Sequence, residues 1–530
     1  MSDTMSPTKD TVADNPTALS SARPQSGDTR RANPLARLIR RGAGAVRTNP
    51  AVSVVVLVGA LLRGLISAGY GPAFYFSDTR GYFEYADRGY PQAIRPYGYS
   101  GFLNLFRWTD SIWPVITVQH LLGLGCAVGV YVLVRRKGGA RWLATAAAAP
   151  VALDGYELVV EHYILADGLF SVLLLGAVLC LLWEKKVTTR LALAAGLFLA
   201  LATLTRNVAL PLLALAGLYI LINRAGRRPF IALLLAMVLP MMGYVAWYHS
   251  HYGQYTISSW TDRWMYGRVM SVADCPTLHL NPQEEKLCTR PENDNAYKVD
   301  YYVWSHDSPV GKVPRRYAYT FSAKVILQQP LDYSALVARE TWAFFSPEFY
   351  LHRHEPPGTT CPGLWQFQKV THNPNCEPNP VANSRFGDHR GAQPDTWDGW
   401  SATFLRDYQH FGGITPGPAL AFCLLLVIAA AIAPLLLTRR TERRRVRADG
   451  QWALRWDALL LGASALALLV IAIATSQFDI RYGVPILVLI PPAGALAWIS
   501  LQHTLPTTRL WASLRDQASR NHSGHSVLSK

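Results

Sequence analysis

The residues of this sequence that are best suited to chemistry lie in one stretch, FYFSDTRGYFEYADRGYPQAIRPYGYSGFL, residues 74–103. Arginine binds phosphate bidentately, and a carboxylate can take a proton from an attacking hydroxyl. Tyrosine offers a flat face and a hydroxyl group, which suit a sugar. These residue types would suit a phosphate-linked sugar. The candidate residues in this stretch are Asp78, Arg80, Arg95, Tyr97 and Tyr99.

Three further turns beside apolar runs carry ionisable residues. They read VVEHYILADGLF, LTRNVALP and QFDIRYGVP. An ionisable side chain in a membrane helix is costly, which makes it a candidate for function. The candidates from these turns are Glu161, His162, Asp167, Arg206, Arg481 and Tyr482.

Each of these residues also has a structural interpretation. Arg63, in the first apolar run, could snorkel to the headgroups, and Asp78 could cap the helix that follows it. Glu161 and His162 fit an interfacial turn. Arg206 and Arg481 could pair with acids such as Asp167 or Asp479. The functional interpretation rests on the whole set, which the predicted topology places at one level on one side of the membrane.

The hydrophobic residues fall in ten blocks in a chain of 530 residues that is 50% hydrophobic and 16% charged. Each block has roughly 16–23 residues, which is what a helix needs to cross about 30 Å of hydrocarbon. The sequence therefore predicts an all-α polytopic membrane protein with about ten transmembrane helices. The blocks are 51–70, 114–134, 141–157, 164–183, 190–206, 207–222, 229–248, 416–437, 457–475 and 484–502.

Charge is distributed unevenly between the two sides of this layout. If the N-terminus is cytoplasmic, the cytoplasmic pieces hold 29 Lys and Arg against 8 Asp and Glu, and the remainder holds 22 against 27. This asymmetry is typical of the positive-inside rule and predicts a multi-pass plasma-membrane protein with both termini in the cytoplasm. Topology thus explains the net charge of +16. Anionic membrane lipids are the expected partners, and nucleic acid is not.

The layout also predicts five parts. Two polar ends are expected to be cytoplasmic tails, the first of them disordered. Between them lie a catalytic membrane module of about seven helices, an extracytoplasmic segment, and about three C-terminal transmembrane helices. The parts are, in chain order, 1–48, 49–248, 249–415, 416–503 and 504–530.

Two outer segments have predicted structure of their own. The loop 71–113 shows helical spacing of aromatic residues and predicts short amphipathic helices on the membrane surface. The segment 249–415 is too long for a structureless loop. Its middle predicts two helices broken at Pro330, and its second half is rich in Pro, Gly, Asn and Cys, which favours a mixed, irregular structure.

Four cysteines lie in this outer segment, where an oxidising compartment favours disulfides. Four cysteines allow three pairings, and the sequence does not choose among them. The sequential pairing would join Cys275 to Cys288 and Cys361 to Cys376. A zinc site is the competing interpretation, although the spacings do not match a zinc finger.

A lipid-phosphate substrate fits the candidate residues, because its tail stays in the bilayer and its phosphate lies at headgroup depth. One carboxylate would act as base and the lipid phosphate would leave, in a single displacement that inverts the anomeric centre. The hypothesis is glycosyl transfer, of a hexose or pentose. Two alternatives stay open: a transporter or flippase for an anionic lipid-linked solute, and a non-catalytic cell-envelope assembly protein.

At these residues the sequence resembles the GT-C superfamily of integral membrane glycosyltransferases, in the branch of the protein O-mannosyltransferases and lipid A aminoarabinose transferases. The resemblance covers about residues 50–250 and 475–500. Four segments carry it, in the same order as in the family. They are SDTRGYFEYA with RPYGYSGFL, ILADGLFSVLLL, LTRNVALPLLAL and RYGVPILVLIPP.

The resemblance implies a polyprenyl-phosphate sugar donor, an active site on the extracytoplasmic face, and Asp78 as the catalytic base. The second acid of the family would be Asp167, with Glu161 as the weaker match. This sequence has Ala166 and Asp167 where relatives often have Ser-Glu, and it lacks a doubled acid at Asp78. Some members bind a divalent metal through such acids, so the departure leaves a metal open and no cofactor is certain. The acceptor could be protein, polysaccharide or lipid.

Overall fold

The computed structural model describes residues 48–291, 298–347, 366–367, 397–435 and 451–504. By its internal contacts the chain divides into residues 1–49 and 50–530, and the helices named below all belong to the second unit. Regular structure in the described ranges is helical, with one isolated parallel bridge between Phe74 and Tyr163. Nearly all of the two predicted cytoplasmic tails lies outside the described residues.

Twenty α-helices follow one another in these described ranges. The first ten are α1 Pro50–Tyr70, α2 Ser77–Arg88, α3 Gly98–Asn104, α4 Trp113–Arg136, α5 Arg141–Leu153, α6 Gly155–His162, α7 Ala166–Leu182, α8 Thr189–Thr205, α9 Leu212–Ile222 and α10 Arg227–Tyr252. The next six are α11 Thr261–Met270, α12 Pro282–Glu285, α13 Val299–Trp304, α14 Arg315–Gln328, α15 Pro330–Ala343 and α16 Trp400–His410. The last four are α17 Gly417–Ile432, α18 Gln451–Thr475, α19 Val484–Leu487 and α20 Ile490–Thr504.

Within the described residues, each predicted apolar block contains helix, as expected for a polytopic membrane protein. By length and composition, four helices of the described chain could cross a membrane: α1, α4, α10 and residues Ala453–Thr475 of α18. The number rises to six if two bent pairs each count as one span, α5 with α6 at 45° and Ile480–Leu487 with Ile490–Gln502 at 41°. Four other apolar helices have only 10–17 residues. The prediction of ten crossings is therefore not confirmed.

Small residues allow the helices of the bundle to approach closely. A Cβ atom on Gly196 of α8 would lie 2.5 Å from the carbonyl oxygen of Leu233 in α10. In α5 the run RWLATAAAAPVAL turns Ala144, Ala147 and Ala148 inward. Such close packing replaces the hydrophobic driving force that helices lack within a bilayer.

The bend between α5 and α6 has an identifiable cause in the sequence. Pro150 sits near the end of α5, and Asp154 then caps α6. Asp154 Oδ1 accepts from the backbone N–H groups of Tyr156 (2.9 Å) and Glu157 (3.2 Å), and Oδ2 accepts from the backbone N–H of Thr415 (2.6 Å). The cap starts a new helix at an angle and so places the acidic end of α6 inside the bundle.

A buried ionic contact joins three helices at the end of the bundle where α4 finishes. Lys137 Nζ lies 2.7 Å from Asp457 Oδ2, and the hydroxyl of Tyr219 donates to Asp457 Oδ1 (2.6 Å). Asp457 is only 1% exposed. A buried charge of this kind stays favourable only while its partners remain in place.

The insert between α10 and α17 has a separate apolar core, which includes Tyr266 and Phe321. Its first half is closed by a disulfide between Cys275 and Cys288, whose Cα atoms are 6.0 Å apart. The helix break predicted at Pro330 is confirmed, since α14 ends at Gln328 and α15 begins at Pro330. Cys361, Cys376 and most of the predicted irregular half lie outside the described residues.

Candidate active site

The helix that carries Asp78, α2, starts immediately after the first long helix and a short connection. Its first turn is fixed by Thr79, whose Oγ1 accepts from the backbone N–H of Phe76 (2.9 Å). Asp78 is the second helical residue and Phe76 the N-cap, so the hypothesis that Asp78 caps this helix is wrong. Its carboxylate is instead bound by side chains from elsewhere in the chain.

Two arginines hold the carboxylate of Asp78. Arg95 Nη2 donates to Oδ1 (2.5 Å), and Arg481 Nη1 donates to Oδ2 (3.1 Å). Asp78 is 6% exposed, and burial alone would raise the pKa of its carboxyl. Arg95 and Arg481 outweigh the burial and hold the pKa of Asp78 below its usual range. The carboxylate is therefore ionised at neutral pH.

The loop that carries Arg95 is anchored by the end of α10 and the residues after it. The carbonyl oxygen of Ala93 accepts from the Tyr248 hydroxyl (3.0 Å) and from the Ser259 backbone N–H (2.8 Å). The carbonyl oxygen of Pro91 accepts from the Tyr252 hydroxyl (2.7 Å). These bonds fix the backbone two residues before Arg95, so the guanidinium meets Asp78 from a defined direction.

Arg481 comes from a short 3-10 turn between α18 and α19. Asp479 caps this turn through a bond from the Arg481 backbone N–H to its Oδ1 (3.1 Å), and its Oδ2 lies 3.0 Å from Arg481 Nε. The guanidinium also lies over the Phe76 ring, 5.1 Å from its centroid. Burial raises the pKa of Asp479 even though Arg481 opposes it. One arginine thus contacts two carboxyl groups whose pKa values are shifted in opposite directions.

A third arginine, Arg206, ends α8 beside the same site. It forms an ion pair with Asp167 in the first turn of α7, and its guanidinium lies 5.3 Å from the ring centroid of Tyr482. The positive charge of Arg206 also helps to lower the pKa of Asp78. Three arginines and three aspartates from five segments therefore meet at one end of the bundle.

Gly98, the glycine of the RPYGY segment, stands at a position where a side chain would not fit. A Cβ atom on Gly98 would overlap the backbone of Leu204 and would lie 2.8 Å from the backbone nitrogen of Thr205. These residues directly precede Arg206. Gly98 therefore lets the first outer loop pack onto the end of α8, and this contact brings the loop's Arg95 and α8's Arg206 into one site.

Three residues predicted for the site are placed elsewhere. Arg80 lies on α2 but is exposed, and the structure gives it no hydrogen bond or ion pair with a described residue. Tyr99 is fully buried and its hydroxyl donates to Gln119 Oε1 (2.5 Å). The ring of Tyr97 packs edge-on against Trp247, 5.1 Å between centroids. Of the predicted tyrosines, Tyr482 is the one that contacts the arginine cluster.

Glu161 and His162 belong to a second buried group rather than to the arginine cluster. Glu161 is 1% exposed and pairs with Arg63, which is itself 3% exposed. Burial excludes the snorkelling interpretation of Arg63 and the interfacial-turn interpretation of Glu161. His162 is fully buried beside His120, with Nδ1 3.2 Å from His120 Nε2.

The expected pairing of Arg206 and Arg481 with aspartates is confirmed, with Asp167 and Asp479 as the partners. Asp479 was expected only as such a partner, and Phe76, which also contacts Arg481, was not expected at the site. Asp479 stands two residues before Arg481 in QFDIRYG, so the spacing alone was a usable signal. Phe76 had no signal beyond its position near Asp78. In the described part of the chain, no group of three or more His, Cys, Asp or Glu is arranged to hold a metal ion. Each aspartate of the cluster faces an arginine instead.

No protein-family model matches the chain, and no curated protein matches it. Among solved structures, the chain is similar to the protein O-mannosyltransferase complex of S. cerevisiae bound to the sugar donor. The similar region covers 43% of this chain and 37% of that chain. The identity is 15% and the TM-score 0.32. A likeness of this size carries no argument about function, which must come from the site itself.

Proposed function

We propose that this chain is an integral membrane glycosyltransferase that moves a sugar from a polyprenyl-phosphate carrier to an extracytoplasmic acceptor. One observation carries the proposal: the ionised carboxylate of Asp78 lies between Arg95 and Arg481, with Arg206 beside it. A base and several phosphate-binding groups are what such a transfer needs at one point. The apolar helices below the cluster suit a donor whose lipid tail stays in the bilayer.

Asp78 would act as the general base. An ionised carboxylate has about four acceptor positions, so each oxygen can bind its arginine and still accept from a hydroxyl. The acceptor oxygen attacks the anomeric carbon, the bond from that carbon to the phosphate oxygen breaks, and the hydroxyl proton passes to Asp78. The phosphate leaves with the bonding electron pair, and the anomeric centre is inverted. Because attack makes the acceptor hydroxyl strongly acidic, a carboxylate of lowered pKa suffices as base.

Arg206 and Arg481 would bind the phosphate of the donor. Guanidinium groups bind phosphate bidentately and stabilise the charge that grows on a departing phosphate. Asp167 and Asp479 would hold these arginines in place before the donor arrives. Tyr482, over whose ring Arg206 lies, would contact the donor head. Asp167 is thus assigned as a partner of Arg206, and Glu161 has no direct part in the reaction.

The remaining parts of the proposal concern topology. The site is assigned to the extracytoplasmic side of the plasma membrane, within a catalytic module of residues 49–248 completed by the C-terminal helices. The insert 249–415 anchors the Arg95 loop through Ser259. It is therefore assigned a part in selecting the acceptor.

The decisive experiment uses purified full-length protein in lipid vesicles with a panel of radiolabelled polyprenyl-phosphate hexoses and pentoses. Wild type should release the polyprenyl phosphate and pass label to an acceptor. Asp78→Asn keeps the shape but removes the base, so transfer should fall by about 10²–10⁴ while donor binding and thermal stability stay near wild type. Asp87→Asn, an exposed acid on the same helix, is the matched control.

One outcome would change the mechanism, and two would reject the function. Near wild-type transfer by Asp78→Asn would remove Asp78 from the mechanism. Movement of intact donor across the vesicle membrane without transfer would favour the transporter. If wild type binds no donor of the panel and transfers no label, the assembly protein becomes the better interpretation.

A further inference from the structure

A second polar cluster lies inside the bundle, below the arginines of the proposed site. Its members are Arg63, Gln119, His120, Glu161 and His162, and we call it the inner cluster. Arg63 binds Glu161 with both ends of its guanidinium, Nε to Oε2 (2.7 Å) and Nη2 to Oε1 (2.6 Å). His120 Nδ1 lies 3.0 Å from the same Oε2.

The inner cluster also satisfies backbone groups that the helix bend leaves open. Because α5 stops at Leu153, the carbonyl groups near its end lack helical partners. Arg63 Nη1 donates to the carbonyl oxygen of Ala152 (2.8 Å) and to that of Gly59 (3.1 Å). Space for the Glu161 carboxylate exists because residue 123 of α4 is glycine, since a Cβ there would overlap Glu161 Oε1.

Residues 162–164, which we call the strand, pair with Phe74 at the isolated bridge and connect the inner cluster to the helix of Asp78. The Phe74 N–H donates to the carbonyl oxygen of His162 (2.9 Å), and the Ile164 N–H donates to that of Phe74 (3.1 Å). Thr79 Oγ1, one residue after Asp78, donates to the carbonyl oxygen of Ile164 (3.1 Å). The start of α2 is therefore bound to residues 162–164.

The inner cluster holds the other side of the same strand. Gln119 Nε2 donates to the carbonyl oxygens of Glu161 (2.8 Å) and Tyr163 (3.0 Å). The Glu161 side chain fixes the end of α6 against α1 and α4 through Arg63 and His120. The inner cluster and Thr79, which is next to Asp78, thus hold the same short segment, residues 161–164.

From this geometry we infer that Glu161 is a positioning residue, which places the start of α2 so that Asp78 meets Arg481. The inference rests on the proposed function, because it assigns Glu161 to the support of the proposed base. Loss of its charge removes the ionised partner to which Arg63 donates through Nε and Nη2, although the buried carboxyl of Glu157 also lies within electrostatic reach of Arg63. We expect the buried guanidinium to shift in response. The strand and the start of α2 then shift, while Arg206 and Asp167 keep their own ion pair.

The test compares variants of the full-length protein by amide hydrogen exchange and by pH–rate profiles. In Glu161→Gln, exchange of the Phe74 and Ile164 amides should rise at least about tenfold, since both amides lie on the strand pairing. With the donor that wild type uses, kcat should fall about tenfold and KM should change little. The acidic limb of the kcat profile should move to higher pH, because Asp78 loses contact with Arg481.

Two glycines of α4 provide a matched pair. Gly123→Ala places a methyl group against the Glu161 carboxylate and should reproduce the exchange and pH effects. Gly125→Ala, two residues further along, meets no atom within 4 Å and should match wild type in both. Glu161→Asp keeps the charge and should fall between wild type and Glu161→Gln, and it decides the matter if Glu161→Gln fails to fold.

The outcomes separate this inference from the proposed function. Wild-type exchange and an unmoved acidic limb in a folded Glu161 variant would overturn the positioning role, even if turnover were lower. If wild type transfers no sugar at all, the proposed function fails. The exchange experiment then still decides whether Glu161 holds the strand, and unchanged exchange would reject it.

Discussion

Arg481 donates from Nη1 to Oδ2 of Asp78 over 3.1 Å, although the two residues are 403 positions apart in the sequence. The contact joins the first helix after the first apolar span to the turn before the last two helices. The proposed site therefore forms only when the early and the late parts of the sequence have packed together. It also means that substitutions far apart in the sequence should act on a single pKa, that of Asp78.

The first prediction concerns pH. Arg95→Gln removes a positive charge 2.5 Å from Asp78, so burial should raise the pKa of Asp78 above its depressed wild-type value. In the proposed mechanism Asp78 works in its ionised form, so transfer should be lost as pH falls through its pKa. The acidic limb of kcat/KM should therefore lie at higher pH in Arg95→Gln than in wild type. Arg107→Gln, an exposed residue of the same outer loop, should leave the limb unchanged, and equal limbs in both variants would contradict the assignment.

The second prediction concerns the donor phosphate. Arg206→Ala should raise the dissociation constant of the lipid-phosphate donor and lower kcat, because the arginine would meet the phosphate in both the ground state and the transition state. Arg481→Ala should do the same. A loss of roughly 1.5–3 kcal/mol is expected for each charged hydrogen-bonding group removed. Donor binding is measured by titration in vesicles; wild-type affinity with lower kcat alone would assign these arginines to the transition state only.

The sequence could predict that these site residues lie together, because the predicted topology restricts where each turn can lie. Positive-inside charge and alternating helices place Asp78, Arg206 and Arg481 at one end of the bundle, where the structure also brings them together. Helix geometry could have excluded Arg80 from the site of Asp78. The two residues are two positions apart on one helix, so their side chains point in directions about 200° apart around the axis. The exact pairing of Arg95 and Arg481 with Asp78 depends on loop packing, which no local pattern reports.

Glu161 shows where sequence reasoning fails. It stands only six positions before Asp167, and both are acids beside the same break between α6 and α7. The extended residues Tyr163–Leu165 separate the two helices, so Glu161 turns toward Arg63 and Asp167 toward Arg206. The pairing of each acid with its arginine depends on how α1 and α4 pack in the folded protein. The local sequence does not contain this information.

The third prediction concerns the disulfide. Cys275→Ser should destabilise the insert by about 3 kcal/mol, because the bridge closes a loop with a sequence separation of 13. Cys180→Ser removes an unbridged, half-buried cysteine and serves as the control. Thermal unfolding under non-reducing conditions measures the difference. Mass spectrometry of the same unreduced protein should find Cys361 and Cys376 also oxidised, and alkylation of either one would contradict the predicted second bridge.

The fourth prediction concerns sidedness. A cysteine at His306, which is exposed in the insert, should react with a membrane-impermeant maleimide added to intact cells. A cysteine at Lys186, exposed between α7 and α8, should react only after permeabilisation. The unsubstituted protein gives the background from its native cysteines. The reverse labelling pattern would place the arginine cluster on the cytoplasmic side and would exclude an extracytoplasmic acceptor.

The two buried ion pairs at opposite ends of the bundle bear on biogenesis. Asp78 and Lys137 leave the ribosome early, whereas Arg481 and Asp457 follow more than 300 residues later. Until the last helices insert, Asp78 has Arg95 but not Arg481, and Lys137 lacks the carboxylate of Asp457. A chain stalled before residue 451 therefore lacks both late partners, and we expect membrane quality control to treat it as incomplete, because an ionisable group without its partner is costly in a membrane protein.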